Sequence, residues 1–311
     1  MKIIFMGTPD FSVPSLKEID DHFGVELVVT QPDKQKGRGK KVQFSPVKEE
    51  ALKRNIRVIQ PVKLRTDREA IEEIRSLAPD FIVVVAYGQI LSEEVLSIPK
   101  YGCINLHASL LPLLRGAAPL NFALIEGHEE SGSTTMLMDK GIDTGDMLLT
   151  DRVVLDDKMN VETLHDLLSS RGGKLLLDSM KGLADGSIIP TKQNHEKSTH
   201  APLITKETCE IDWTKSAREI HNLVRGLSPV PGAYSYIEDD KVKILETMVV
   251  EEKSDEPGTI MEVSPNGVLV STGDGLIQIL KLQYPGKKPM SVRDFLNGNE
   301  ITAKKFKRSV E

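Results

Sequence analysis

Asp80-Phe-Ile-Val-Val-Val-Ala-Tyr87 is the stretch that decides the fold. Every position from Phe81 to Ala86 is apolar, and β-branched side chains dominate, so the run predicts a strand buried on both faces. Such strands sit inside parallel sheets covered by helices. The chain around it agrees. Residues 2–6, 26–30 and 103–106 are further short strand-like runs, whereas 66–77 and 161–180 carry helical spacing. Strand-like runs alternating with amphipathic segments define an α/β region with a mainly parallel sheet. Thr8, Pro9 and Asp10 end the first strand, with a helix predicted from Phe11 or Ser12. That places a loop at the carboxyl edge of the sheet, where open α/β sheets bind ligands.

The character changes around Pro190. Residues 190–207 are polar, rich in Thr, Lys and His, and lack periodicity, so they read as a linker between a first domain at 1–189 and a second at 208–311. A helix is predicted at 215–225. Five short strand-like runs follow, at 233–237, 242–250, 258–263, 267–271 and 276–282, separated by turn residues such as Pro265-Asn266-Gly267 and Gly273-Asp274-Gly275. That many short strands in so little chain predict a small OB-type β-barrel.

A length of 311 residues accommodates two such domains, and 39% hydrophobic with 28% charged residues excludes a disordered or fibrous chain. The net charge of -6 excludes a protein that coats nucleic acid non-specifically, so any RNA contact has to be local. The only two cysteines, Cys103 and Cys209, form neither a disulfide framework nor a zinc spacing, as expected in a reducing compartment. No run approaches the roughly 20 apolar residues that span a bilayer. The expectation is a cytoplasmic protein without a membrane partner.

Cys103-Ile-Asn-Leu-His107 carries the first chemistry. Strand alternation points Asn105 and His107 to one face, with Cα atoms about 6–7 Å apart. Acyl transfer needs such a pair, a donor to the developing oxyanion and a group that moves a proton near neutral pH. A structural histidine beside a turn-forming asparagine fits the same spacing. Cys103 shares the parity, but about 13 Å of strand separates it from His107, which argues against a Cys-His nucleophile.

Asp139-Lys-Gly-Ile-Asp-Thr-Gly-Asp146 follows a strand-like run at 134–138 and sets Asp143 between two glycines. A carboxylate in such a tight loop can orient an imidazole. A solvated turn fits as well, whereas EF-hand spacing and other metal-ligand pairings are lacking, so no metal is expected. Met6-Gly-Thr-Pro9 lacks the glycine spacing of a dinucleotide loop, and there is no Walker loop. The main basic segment carries Lys34, Lys36, Arg38, Lys40 and Lys41, with a second cluster at Lys304, Lys305, Lys307 and Arg308. These side chains suit phosphates and an unpaired base, and they equally suit a solvated loop.

Taken together, Phe5-Met-Gly-Thr-Pro-Asp-Phe-Ser12, Gly37-Arg-Gly-Lys-Lys41, Val84-Val-Ala-Tyr-Gly-Gln-Ile-Leu91, Asn105-Leu-His-Ala-Ser-Leu-Leu-Pro-Leu-Leu-Arg-Gly-Ala-Ala-Pro119, Gly141-Ile-Asp-Thr-Gly-Asp146 and Ile211-Asp-Trp213 resemble the methionyl-tRNA formyltransferase family over essentially the whole chain. The resemblance implies a Rossmann-like formyltransferase domain followed by an OB-like tRNA-binding domain. It implies transfer of a formyl group from 10-formyltetrahydrofolate to methionyl initiator tRNA, with Asn105, His107 and Asp143 as the catalytic trio. By the same carry-over, Tyr87, Gly88, Gln89, Ile90 and Leu91, with Ser109, Leu110, Leu111 and Pro112, line the folate pocket. Asp139 and Gly141 form another wall, and Lys34, Lys36, Arg38, Lys40 and Lys41 contact tRNA. A monomer is compatible with this reading.

Two other classes remain open at this level. Formylation of glycinamide ribonucleotide or an amino sugar, or hydrolysis of the formyl donor, would use the same trio; the second domain and the basic segment weigh against them. A catalytically silent RNA-binding protein on the same fold would not need the trio.

Overall fold

The computed structural model describes residues 1–36 and 41–308, with Gln35, Lys36 and Lys41 described by their backbone alone. It divides into two compact units, the first comprising residues 1–116, 132–153 and 165–200, the second 117–131, 154–164 and the chain from 201 onward.

The first unit is built on a seven-stranded sheet in the order Met147–Val154, Glu130–Leu137, Cys103–His107, Phe81–Val85, Ile3–Gly7, Leu27–Val29, Val58–Ile59. Cys103–His107, Phe81–Val85, Ile3–Gly7, Leu27–Val29 and Val58–Ile59 run parallel to one another, and Glu130–Leu137 pairs antiparallel with Cys103–His107. Phe81–Val85 is buried at every position, which is why it could be read as an unbroken apolar run. It stops two residues short of the expected end because Ala86, at φ 47°, leaves the extended region.

The strand order reverses between Ile3–Gly7 and Phe81–Val85, so the loops after these two strands flank a crevice at the carboxyl edge. Gly7 is needed there: a Cβ would lie 3.0 Å from the Val85 carbonyl oxygen and 2.8 Å from the Phe5 ring. Asp10–Ser12 is a 3-10 turn, and the α-helix begins at Val13, with Pro14 in its first turn, where a missing N–H costs nothing. The Ser12 hydroxyl donates to the Val85 carbonyl at 2.6 Å and ties this turn to the crevice. Arg68–Ser76 and Val161–Asp185 are the other long helices foreseen; the former starts later than the periodicity suggests because Asp67 caps it, accepting from Ala70 N–H at 3.1 Å.

The basic segment is more ordered at its base than a loop of glycines and lysines suggests. Lys34–Lys36 and Lys41–Gln43 pair antiparallel, and Lys48 Nζ donates to Asp33 Oδ2 and to Gln60 Oε1, both at 2.6 Å. Arg38 and Lys40 lie outside the described residues.

In the second unit an antiparallel sheet runs Ile260–Ser264, Gly267–Ser271, Leu276–Gln283, Asp240–Val250, Ala233–Ile237, Phe306–Lys307, with Met290–Ser291 beside Leu276–Gln283. Ile260 N–H donates to the Lys304 carbonyl at 2.8 Å and Phe306 N–H to the Gly258 carbonyl at 2.9 Å, so the two ends of the sheet meet as in an OB-type barrel. Ala217–Leu227 packs on it, opened by a reciprocal capping box between Ser216 and Glu219. Pro119–Ile125 lies against that helix at Gly226, where a Cβ would come within 2.6 Å of Ile125 Cγ1.

Trp213 is 4% exposed, its ring centroid 5.0 Å from that of Phe306, and its Nε1–H donates to Ser235 Oγ at 2.9 Å. The Ile211-Asp-Trp213 motif is thus structural: Asp212 caps its own turn through Thr214 and pairs with Arg308 at 3.1 Å. Trp213→Ala is expected to cost about 3–5 kcal/mol in urea-induced unfolding of the second unit, since a large buried ring leaves a cavity. A loss under about 1 kcal/mol would show that the barrel core does not depend on it.

Candidate active site

Alternation along Cys103–His107 sends Ile104 and Leu106 into one core layer and Cys103, Asn105 and His107 to the opposite face. Cys103 joins the apolar cluster of Ile4, Met6, Ile82 and Val84, and burial pushes its thiol up to about 12. It is an inert core residue, in line with the argument against a Cys-His nucleophile. Asn105 is half-buried between Val84 and Met136 in register, and among the described residues its side-chain amide has no hydrogen-bond partner. Its donor is available.

His107 is 6% exposed, and its Nε2 lies 2.9 Å from the Leu114 carbonyl, which can only accept, so Nε2 carries a proton. The other nitrogen, Nδ1, faces Asp143 Oδ2 at 3.6 Å. That separation is longer than a hydrogen bond and within range of an ion pair. The structure therefore brings Asp143 to His107, which no local periodicity could show.

The Asp143 loop is built from the residue types read in the sequence. The Asp139 carboxylate accepts from Gly141 N–H at 2.9 Å and from Thr144 Oγ1 at 2.6 Å, closing the turn on itself. A Cβ at Gly145 would sit 1.7 Å from the Leu137 carbonyl oxygen, so no side chain fits there. Asp143 itself is left-handed at φ 53°, and its Oδ2 accepts from Gly116 N–H at 2.8 Å.

The remaining expected site residues fall into two groups. Tyr87 and Leu91 are core, the Tyr87 hydroxyl having no partner among the described residues and burial raising its phenol. Gln89 spends its side chain on Leu64 N–H, at 2.8 Å, and on the Pro61 carbonyl, at 3.0 Å. Gly88 is left-handed at φ 84°, and Ile90 stands 62% exposed. In the loop after His107, the Ser109 hydroxyl donates to the Leu113 carbonyl at 2.6 Å, and Thr134 Oγ1 bridges the Ser109 carbonyl and Leu111 N–H. Leu110 and Pro112 are half-buried there. Lys34 is exposed at the hairpin base. The sequence reading missed Arg115 and Gln193, whose contacts are long-range and leave no pattern.

An asparagine amide, a buried histidine and a loop carboxylate at the carboxyl edge of a parallel sheet are an arrangement able to carry acyl transfer on an α/β fold. Family models named Formyl transferase and Formyl transferase, C-terminal domain, match residues 1–180 and 203–300. The chain belongs to the formyl transferase family, and within it to the methionyl-tRNA formyltransferases. The enzyme of that name from Clostridium perfringens (strain SM101 / Type A) is 56% identical over 97% of this chain and 98% of its own, and the one from Caldanaerobacter subterraneus subsp. tengcongensis is 48% identical over 97% and 98%. Among solved structures, the sugar 3N-formyl transferase WlaRD, with dTDP and 5-N-formyl-THF, superposes with a TM-score of 0.68 at 20% identity, covering 93% of this chain and 99% of that one. An N-formyltransferase from Helicobacter canadensis gives 0.67 at 20% identity, covering 91% and 99%. These two likenesses establish the shared fold.

Proposed function

We propose that the protein transfers the formyl group of 10-formyltetrahydrofolate to the free amine of methionyl initiator tRNA, giving N-formylmethionyl-tRNA for translation initiation. The observation that carries the reading is the uncommitted Asn105 amide beside the His107 and Asp143 pair, in a chain similar to methionyl-tRNA formyltransferases along nearly its full length. The amine nitrogen attacks the formyl carbon, forming the new C–N bond while the carbonyl electrons move onto oxygen. Asn105 donates a hydrogen bond to that oxyanion. The attacking nitrogen loses its proton towards His107 or a water held by it, with Asp143 holding the imidazole in orientation. The carbonyl then re-forms, the bond to N10 breaks, and N10 leaves with a proton as tetrahydrofolate.

The loop holding Tyr87, Gly88, Gln89, Ile90 and Leu91, the turn at Ser109, Leu110, Leu111 and Pro112, and the Asp139 to Asp143 loop supply the folate pocket, backbone groups reading the pterin edge. Ile90 and Ile142, each 62% exposed, offer apolar surface on two of these loops. The enzyme works as a monomer in the cytoplasm, and Lys34, Lys36, Arg38, Lys40 and Lys41 reach the acceptor end of the tRNA.

Formyl transfer from 10-formyltetrahydrofolate tests the reading, with methionyl initiator tRNA, methionyl elongator tRNA and glycinamide ribonucleotide compared at one salt concentration. Rapid formylation of the initiator alone is expected; activity on glycinamide ribonucleotide with none on tRNA would overturn the acceptor. Replacing Arg38, Lys40 and Lys41 together by glutamine is expected to weaken tRNA binding about tenfold or more and to flatten its dependence on salt, because each lost phosphate contact removes counterion release. Unchanged affinity and salt slope in a filter-binding titration would rule the basic segment out.

A further inference from the structure

Gln193 lies in the polar stretch read as a linker, yet it is 5% exposed and all four of its hydrogen-bonding positions are filled. Oε1 accepts from Arg115 Nε at 3.1 Å and from Arg115 Nη2 at 2.6 Å. Nε2 donates to the Asp143 carbonyl at 2.9 Å and to the Gly145 carbonyl at 2.7 Å. A guanidinium only donates and a carbonyl only accepts, so the amide has one possible orientation.

We infer that Gln193, held by Arg115, is a positioning residue for the transfer reaction: it fixes the backbone of Asp143 and so sets the carboxylate against His107. The inference rests on the functional reading above and deepens it. A non-glycine residue at φ 53° costs of the order of 1 kcal/mol or more and persists only where its surroundings hold it. Gln193 holds the carbonyl of that residue, while Gly116 N–H holds its carboxylate. The grip is continuous with the histidine. Leu114 takes His107 Nε2 on its carbonyl, Arg115 clamps Gln193, and Gly116 binds Asp143, so three consecutive residues set the ring, the amide and the carboxylate. Arg115 Nη2 also lies 3.1 Å from His195 Nδ1, which keeps the guanidinium turned towards the 193–195 segment.

Gln193→Glu separates the two halves of the clamp. The glutamate still accepts from Arg115, but it cannot donate to the two loop carbonyls and sets negative charge against them. Steady-state kinetics of the variant should show kcat lowered about 10–100-fold, with KM for methionyl initiator tRNA and for the folate within about twofold of the parent. Because the residue acts through Asp143, single-turnover rates should show no further loss when Gln193→Glu is added to Asp143→Ala. A parental kcat, or an equal loss in both backgrounds, overturns the inference. Gln193→Met, uncharged and of similar length, carries the same test if the glutamate variant fails to fold by circular dichroism. An inactive parent protein would overturn the functional reading instead, whereas an active parent with unaffected variants sinks only the role of Gln193.

Discussion

His107→Ala should lower kcat for formyl transfer by about 10³-fold while leaving tRNA affinity within about twofold. The magnitude follows from general acid-base participation, which contributes roughly 10²–10⁴-fold. The ring is 6% exposed and faces the Leu114 carbonyl and Asp143, so truncating it removes almost no surface that bound tRNA could lean on. Asp143→Ala should fall in the same direction, because in the proposed mechanism the carboxylate works through the imidazole, and the two losses should not add. Single-turnover formylation, with tRNA binding measured separately, checks both. A His107→Ala enzyme within tenfold of the parent would remove the histidine from the mechanism and leave the reaction to Asn105 and positioning alone.

The second large effect is expected at Asn105. Asn105→Ala removes the amide proposed to stabilise the oxyanion, and loss of one such donor costs about 10²–10³-fold in kcat. KM for the folate should change little, since the donor meets its charge only in the transition state. Asn105→Asp is the sharper variant: it keeps the size, removes the donor and brings a negative charge to the oxyanion, so it should be at least as slow as the alanine form. If the aspartate variant retained parental kcat, the amide could not be the donor. Neither change removes a hydrogen bond among the described residues, and circular dichroism of both variants checks that the strand is kept.

Much of the architecture was legible because its causes are local. An apolar run at residues 81–86 can satisfy its backbone and bury every side chain only as an inner strand. The same alternation that buries Ile104 and Leu106 obliges Asn105 and His107 to share the other face. In the second unit, the turn residues at 265–267 and 273–275 bound strands at Gly267–Ser271 and Leu276–Gln283. Where local reading went astray, a specific residue explains it. The positive φ of Ala86 shortens a strand, and Asp67 delays a helix. Lys48 with Asp33 and Gln60 orders the base of a segment whose composition suggested a loop.

The sequence by itself determined the two fold classes, the shared face of Asn105 and His107, and a tight acidic loop around Asp143, all consequences of periodicity and turn chemistry over a few residues. Only the tertiary structure decided that Asp143 meets His107 Nδ1, that Leu114 takes the other ring nitrogen, and that Gln193 and Arg115 hold the loop in place. The packing of Pro119–Ile125 against Ala217–Leu227 at Gly226 was decided at that level too. Such pairings join groups far apart in the chain through hydrogen bonds whose direction depends on every element between them, and a single amide or guanidinium carries no periodic signal of the partner it will find.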